Sequence, residues 1–112
     1  MKRPQLNRHL TLERETTSAD LSGGFISEWE PLGAHWAEIT PGTGRETKGP
    51  AASIARVPYK IVVRSAPITS DARPMAGQRF KGQGRIYDIQ AVAELDSKGR
   101  YLICHALEET AT

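Results

Sequence analysis

The sequence predicts an all-β fold: a small β-barrel of about seven short strands, with one long loop and at most one short helical turn. Two observations carry this prediction. Apolar and polar residues alternate over short segments, and glycine- or proline-rich turns separate those segments. At 112 residues, we expect one domain over residues 1–112. The hydrophobic content of 38% is low for a globular protein, so the core should be thin and assembly would add stability.

The first third of the chain predicts three strands. Residues Leu6 to Glu13 alternate with period two, which favours a strand. Asp20 to Gly24 is a loop, and Phe25 to Trp29 forms the second predicted strand. Pro31 to Gly33 then predicts a turn, after which Ala34 to Ile39 alternates again as the third strand.

The second half predicts the remaining strands. Val57 to Arg64 has the clearest alternation, and Gln78 to Lys81 is a short strand. Gly82 to Gly84 predicts a tight hairpin turn. Tyr101 to Leu107 is the last predicted strand, and the tail from Glu108 to Thr112 is expected to fray in solvent.

A further strand runs from Arg85 to Val92. Strict alternation puts Tyr87 and Val92 on opposite faces of it. The segment Asp96 to Gly99 that follows predicts a hairpin loop in which Gly99 is left-handed.

Between the third strand and Val57 the pattern dissolves into a long loop, and loops of this length in small domains are usually functional or disordered. A single helical turn over Arg45 to Lys48 is the most that Gly49-Pro50 permits. A phosphate-binding loop is excluded, because that motif needs Gly-Lys-Ser/Thr entering a helix, and the order here is Thr47-Lys48-Gly49. Five residues in or beside this loop are candidate site residues: Gly42, Gly44, Arg45, Lys48 and Arg56. The functional interpretation of the three basic residues is contact with DNA phosphates, and the alternative is that they are simply solvated.

Composition argues against several function classes. The net charge of +2 is scattered, whereas strong nucleic-acid binders concentrate basic residues in a stripe. No apolar run approaches the length of a membrane span. The single cysteine excludes an intramolecular disulfide and, with no secretory signal, favours synthesis inside the cell.

Catalysis and metal binding find no support either. The three histidines are far apart in sequence, and Cys104 and His105 are adjacent, so a strand would point them to opposite faces. Cys104 is expected to be a buried, inert side chain. Glu108 and Glu109 resemble a solvated tail more than an acid/base pair. We therefore expect a protein without catalytic residues, metal or cofactor.

Four large aromatic residues are candidates for the core or for a subunit interface: Trp29, Trp36, Tyr59 and Tyr87. The alternative is that the tryptophans stack on bases. The chain would then be a monomeric OB-like barrel that binds single-stranded nucleic acid.

The order and spacing of several segments resemble the head-tail joining (head closure, or stopper) proteins of tailed bacteriophages, over nearly the whole chain. The most specific segment is Trp36-Ala37-Glu38-Ile39-Thr40-Pro41 followed by Gly44-Arg45-Glu46. The other segments that carry the resemblance are Leu6–Arg14, Asp20 with Gly23-Gly24 and Trp29, Tyr59–Arg64, Arg79-Phe80, Gly84–Ile89 with Val92, and Leu102–Cys104.

The resemblance implies a structural virion protein, made in the bacterial cytoplasm and placed at the neck of a phage or gene transfer agent. It implies a barrel that assembles with copies of itself into a ring, six being favoured over twelve. The long loop with its five candidate residues is then expected to reach the DNA channel or the neighbouring ring. The implied partners are the portal or adaptor protein, a tail terminator or tail-completion protein, and double-stranded DNA in transient, non-specific contact. No membrane partner is implied.

Overall fold

The computed structural model describes residues 3–42 and 56–109, and these residues form an all-β structure, as predicted. No helix occurs among them. The strands are β1 (Arg8–Ala19), β2 (Phe25–Pro41), β3 (Val57–Arg64), β4 (Arg79–Gly82), β5 (Arg85–Glu94) and β6 (Tyr101–Glu109).

The six strands form one antiparallel sheet that closes on itself in the order β1-β2-β3-β6-β5-β4. Closure comes from β1, which pairs with both β2 and β4. Closing the sheet leaves no unpaired edge around the barrel. The β2–β3 connection and the β4–β5 turn lie at one end of the barrel, and the β1–β2, β3–β4 and β5–β6 connections lie at the other.

The predicted turn at Pro31 to Gly33 is wrong, and this explains why there are six strands and not about seven. The two tryptophan segments belong to one continuous strand, β2. Leu12 pairs with Gly33 and Glu13 pairs with Pro31, so Leu32 is an extra residue in a β-bulge. Gly33 has φ of 137°, which favours glycine. Turn-forming residues here bend a strand without ending it.

A second bulge corrects the predicted faces of β5. Ile89 pairs with Ala106, but the next pair joins Ala91 to His105, which leaves Gln90 as the extra residue. Because one inserted residue reverses the alternation, Val92 lies on the same face as Tyr87 and packs against the core.

The prediction of a frayed tail is wrong for Glu108 and Glu109. Both residues belong to β6, and Glu108 pairs with Val57 on one side and Tyr87 on the other. Glu109 pairs with Ile86 alone, so the sheet holds this stretch through β5 and, at Glu108, through β3 as well. The predicted hairpin between β4 and β5 is confirmed, as is the left-handed Gly99, with φ of 65°.

The core fills the barrel interior with side chains from all six strands. It includes Cys104, fully buried as predicted. The buried cluster consists of Leu10, Leu12, Ala37, Ile61, Val63, Phe80, Tyr87, Ile89, Leu102, Cys104 and Ala106.

Beyond the bulge, β1 and β2 leave the barrel as a two-stranded arm, which we define as residues 13–31. On the barrel, β1 pairs with β4 only from Thr11 to Glu13, and β2 pairs with β3 only from Ala37 to Pro41. The rest of the arm has only its own partner strand. The arm contributes no residue to the buried core.

Candidate interaction surfaces

The ends of the predicted channel loop lie together at one end of the barrel. The Gly42 amide donates to the Pro58 carbonyl at 2.9 Å, and Pro41 pairs with Tyr59. The chain therefore leaves and re-enters the sheet at the same place. The other candidate residues of this loop, Gly44, Arg45 and Lys48, lie outside the described residues.

Arg56, the remaining loop candidate, lies beside an acidic pair. Its guanidinium is 3.9 Å from the Asp88 carboxylate. Partial burial, and then the neighbouring Glu109 carboxyl, raise the pKa of Asp88, while Arg56 acts in the opposite direction. Arg56 is therefore partly neutralised by this barrel end, which reduces its strength as a phosphate ligand.

A hydrogen-bonded cluster lies at the same end. Arg85 binds Glu108 through two bonds, Nε to Oε2 at 2.7 Å and Nη2 to Oε1 at 3.0 Å. The Arg85 guanidinium also donates to the Tyr59 hydroxyl at 3.3 Å. The bonds to Glu108 raise the pKa of Arg85. A two-bond pair of this kind fixes both side chains, and the third bond links Tyr59 to them.

Tyr87, one of the four predicted aromatics, lies in the core and is fully buried. Its ring packs edge-on against Tyr59, with the centroids 5.5 Å apart. Burial raises the pKa of its hydroxyl, which has no hydrogen-bond partner among the described residues.

Trp36 lies on the outside of the barrel and is 58% exposed, so it is not a core residue. The His9 ring meets it edge-on at a centroid distance of 5.0 Å. The opposite face of this stretch of β2 turns inward, where Ala37 is buried. Trp36 therefore presents a large apolar surface to solvent.

Trp29 fixes the base of the arm. The Arg79 guanidinium lies 4.0 Å from the centre of its ring, a distance typical of cation–π contact. Arg79 also binds Glu13 through an Nε–Oε1 contact of 2.7 Å, with both side chains only 13% exposed. Because Arg79 covers the ring, a base cannot stack on that face of Trp29.

The arm exposes apolar side chains at its far end, which we call the arm tip: Leu21, Phe25 and Ile26. Leu21 is 100% exposed and Phe25 is 79% exposed. Within the loop, Asp20 accepts hydrogen bonds from the Ser22 and Gly24 amides at 2.8 Å each, and these bonds lower the pKa of Asp20. These hydrogen bonds hold the loop in shape, although the Leu21 side chain packs against nothing in the described chain.

The arm is a surface that the sequence patterns did not predict. They located the loop at Asp20 to Gly24 correctly but placed Phe25 in an ordinary strand. The available signal was the adjacent pair Phe25-Ile26. Neighbouring strand residues point to opposite faces, so two large apolar residues in succession put one of them in solvent unless both faces are covered.

The described residues offer no reactive centre. They contain no group of three residues able to hold a metal ion. Burial raises the pKa of the Cys104 thiol to about 12, so it is protonated at neutral pH and a poor nucleophile. No helix in residues 3–42 and 56–109 is long and apolar enough to cross a bilayer.

Comparison with known proteins identifies the chain. A family model described as phage head completion protein matches residues 1–109. A chain of the virion of a native gene transfer agent particle is similar at 46% identity, with a TM-score of 0.82, over 98% of this chain and 100% of that one.

A second similar structure is the solution structure of protein SF1141 from Shigella flexneri 2a. It has 21% identity and a TM-score of 0.68 over 99% of this chain and 98% of that chain, and it supports the fold alone. No curated protein sequence matches the chain. The family match confirms the predicted resemblance and a structural role without catalysis: the chain belongs to the phage head completion protein family.

Proposed function

We propose that this protein is a head-tail connector of the stopper type, which forms a ring between the portal or adaptor and the tail. The similarity to a gene transfer agent virion chain carries this proposal, because it extends over essentially the full length of both chains at 46% identity. Membership of the head completion family supports the same position in the particle.

The structure is suited to ring assembly. In a ring, one surface of each copy meets a different surface of the next, and the rotation between them sets the copy number. A closed barrel supplies a rigid body, and the arm and the exposed Trp36 supply surfaces outside it. We propose six copies in preference to twelve, to match a sixfold tail.

The proposed partners are the portal or adaptor on the head side and a tail terminator or tail-completion protein on the tail side. Contact with double-stranded DNA would be transient and non-specific. A net charge of +2 suits that contact, since tight phosphate binding would oppose movement of DNA through the ring.

The loop between β2 and β3 remains our candidate for the channel or for the adjacent ring. The support is its sequence, with glycines at 42 and 44 and basic residues at 45, 48 and 56, together with the closeness of its two ends at one end of the barrel. At that end Arg85 and Glu108 hold a fixed base from which the loop departs.

Gene replacement in the strain that produces the particle tests this function. Without the gene, we expect heads that fail to retain DNA or to join tails, measured as nuclease-protected DNA and by negative-stain counts of tailed particles. The full chain supplied in trans should restore both counts. Normal numbers of tailed, filled particles without this chain would contradict the proposal.

Deleting residues Gly42 to Ala52 tests the loop separately. We expect the purified variant to keep its urea unfolding midpoint, because the sequence of this segment contains no large apolar residue, while the particles leak DNA or lack tails. Arg56→Ala is the matched control for loss of one basic residue beside the deletion. Infectious particles from the deletion variant would remove the loop from the mechanism.

The rival function, a monomeric barrel that binds single-stranded nucleic acid, has its own test. Light scattering gives the oligomeric state, and titration of a labelled oligonucleotide at low salt gives the affinity. We expect no tight binding of the oligonucleotide. Tight, salt-sensitive binding by a monomer would favour the rival.

A further inference from the structure

The arm is acidic as well as apolar at its tip. Residues 13–31 contain five carboxylates and one arginine, a net charge of −4, in a chain whose total is +2. The rest of the chain therefore carries a net charge of +6. Glu28 is exposed on the arm strand next to the tip. A partner for this arm should thus offer positive charge around an apolar surface.

The conformation of Leu21 indicates that the arm tip makes a contact. Leu21 has φ of 67°, a region that is costly for a branched side chain and common for glycine. The turn is held by the hydrogen bonds of Asp20 across it, while the Leu21 side chain is fully exposed and packs on nothing in the described chain. Strained, exposed residues of this kind concentrate at binding surfaces. A lone two-stranded ribbon is also only marginally stable in water, so docking would stabilise the arm.

A basic patch lies at the same end of the barrel as the arm, around the ends of β3 and β6. We define it as Arg3, Arg64, Arg73 and Arg100, which line two adjoining open clefts. Among described residues, only Arg100 of the four is ion-paired, with Asp96 at 3.1 Å. Ile68, 81% exposed, lies in one of these clefts. The patch therefore combines uncompensated positive charge with an apolar residue.

Within one chain, the arm carboxylates do not pair with the patch arginines. The arm extends β1 and β2, whereas the patch lies at the ends of β3 and β6 and in the β3–β4 connection. Arg14 of the arm lies 3.8 Å from Asp71 of that connection, but no described ion pair joins an arm carboxylate to a patch arginine. The N-terminal segment brings Arg3 to the patch, anchored by the Gln5 amide, which donates to Glu38 at 3.0 Å. Two different, complementary surfaces on one rigid body are the requirement for head-to-tail assembly.

We propose that the arm of each copy docks on the basic patch of the next copy, with its carboxylates facing the arginines and its apolar tip against Ile68. This inference rests on the proposed ring and specifies the surfaces that form it. The alternative occupant of the patch is DNA. Phosphates would match the arginines, but they would leave both Ile68 and the apolar arm tip uncovered, so a second copy fits more of the surface.

Charge reversal tests the pairing. Glu28→Arg and Arg64→Glu should each lower the yield of filled, tailed particles about tenfold or more, because like charges would then face each other. The double variant E28R/R64E should recover most of the yield. E28R/K81E is the matched control: it restores the same net charge, but Lys81 is exposed on β4, away from the patch, so it should not recover.

Cysteine cross-linking tests the contact directly. Particles carrying Phe25→Cys and Ile68→Cys in the same chain should form a ladder of covalent oligomers on mild oxidation, and either single variant should not. The native Cys104 is fully buried, with its pKa raised to about 12, and should stay unreactive.

The outcomes separate this inference from the proposed function. If the chain is in the particle and needed for filled, tailed particles, but E28R and R64E assemble normally and no ladder forms, the arm–patch contact is wrong and the connector function stands. Photo-cross-linking of the patch to DNA, with no ladder, would also overturn it in favour of DNA. If particles fill and join tails without the chain, the proposed function itself fails.

Discussion

The barrel and the arm are built from the same two strands, β1 and β2, yet they use side chains in opposite ways. Inside the barrel, Leu10 and Leu12 of β1 are fully buried. Past the bulge, the same strands expose Phe25 and Ile26. Because burial of apolar surface is the main stabilising term, the barrel supplies most of the stability of the protein, whereas the arm leaves its apolar side chains exposed to solvent.

Replacing one phenylalanine in each region should show the largest contrast. Phe80→Ala removes a fully buried ring and should lower the free energy of unfolding by about 3–5 kcal/mol. Phe25→Ala, at a residue that is 79% exposed, should change it by less than about 0.5 kcal/mol. Urea unfolding of the purified chain measures both. Equal effects would mean that the arm packs on the barrel in solution.

At the junction between barrel and arm, the Arg79–Glu13 ion pair should contribute more to the free energy of unfolding than the Arg14–Glu30 pair. Arg79→Ala should cost about 2 kcal/mol, because it leaves the mostly buried Glu13 without its charged partner. Arg14→Ala breaks a pair whose side chains are 44% and 48% exposed, and it should cost less than about 1 kcal/mol. The same urea titration compares them, and the reverse ranking would contradict the assignment of Arg79 as the anchor of the arm.

Leu21→Gly should separate stability from assembly. Relieving the left-handed backbone should leave the free energy of unfolding unchanged or raise it by up to about 1 kcal/mol. The yield of filled particles should fall, because the arm tip loses a contact. Leu21→Ala keeps the backbone strain and provides the control. A gain in both stability and yield would show that Leu21 has no role in contact.

The smallest expected effect is the pH dependence of stability that His35 causes. Partial burial lowers the pKa of His35 below its ordinary value of 6.5, and its ring packs edge-on against Phe80 at 5.8 Å. Protonation therefore favours the unfolded chain, so stability should be complete above pH 6.5 and decline as the pH falls below it.

The matched variant for this pH effect is His35→Gln, which should show a weaker decline than the parent chain in urea midpoints measured between about pH 7.5 and 5.5. His9 and His105 are present in both proteins, so the difference isolates His35. An identical pH dependence in the two proteins would contradict the assignment.

The sequence predicted the regular part of this fold and failed where a single residue changes the register. Alternation located β3 and β6, and turn residues located the β4–β5 hairpin. Leu32 and Gln90 are bulged residues, which no local pattern distinguishes from a turn or from ordinary alternation, because pairing with another strand creates a bulge.

The interaction surfaces were harder to predict for the same reason. The basic patch joins Arg3, Arg64 and Arg100, which are scattered along the sequence and meet only when the barrel closes. Glu108 resembles part of a solvated tail in the sequence, but it pairs with Val57 and Tyr87 in the sheet and its carboxylate binds Arg85. Side-chain periodicity carries no information on such distant contacts.

Cryo-EM of the particle made by the strain that encodes this chain tests the central claim most directly. We predict density for a ring of these barrels where head and tail meet, with each arm lying on the Arg64 and Arg100 surface of the neighbouring copy. A map whose head–tail junction lacks the barrel, or whose barrels stand apart with their arms in solvent, would contradict the account.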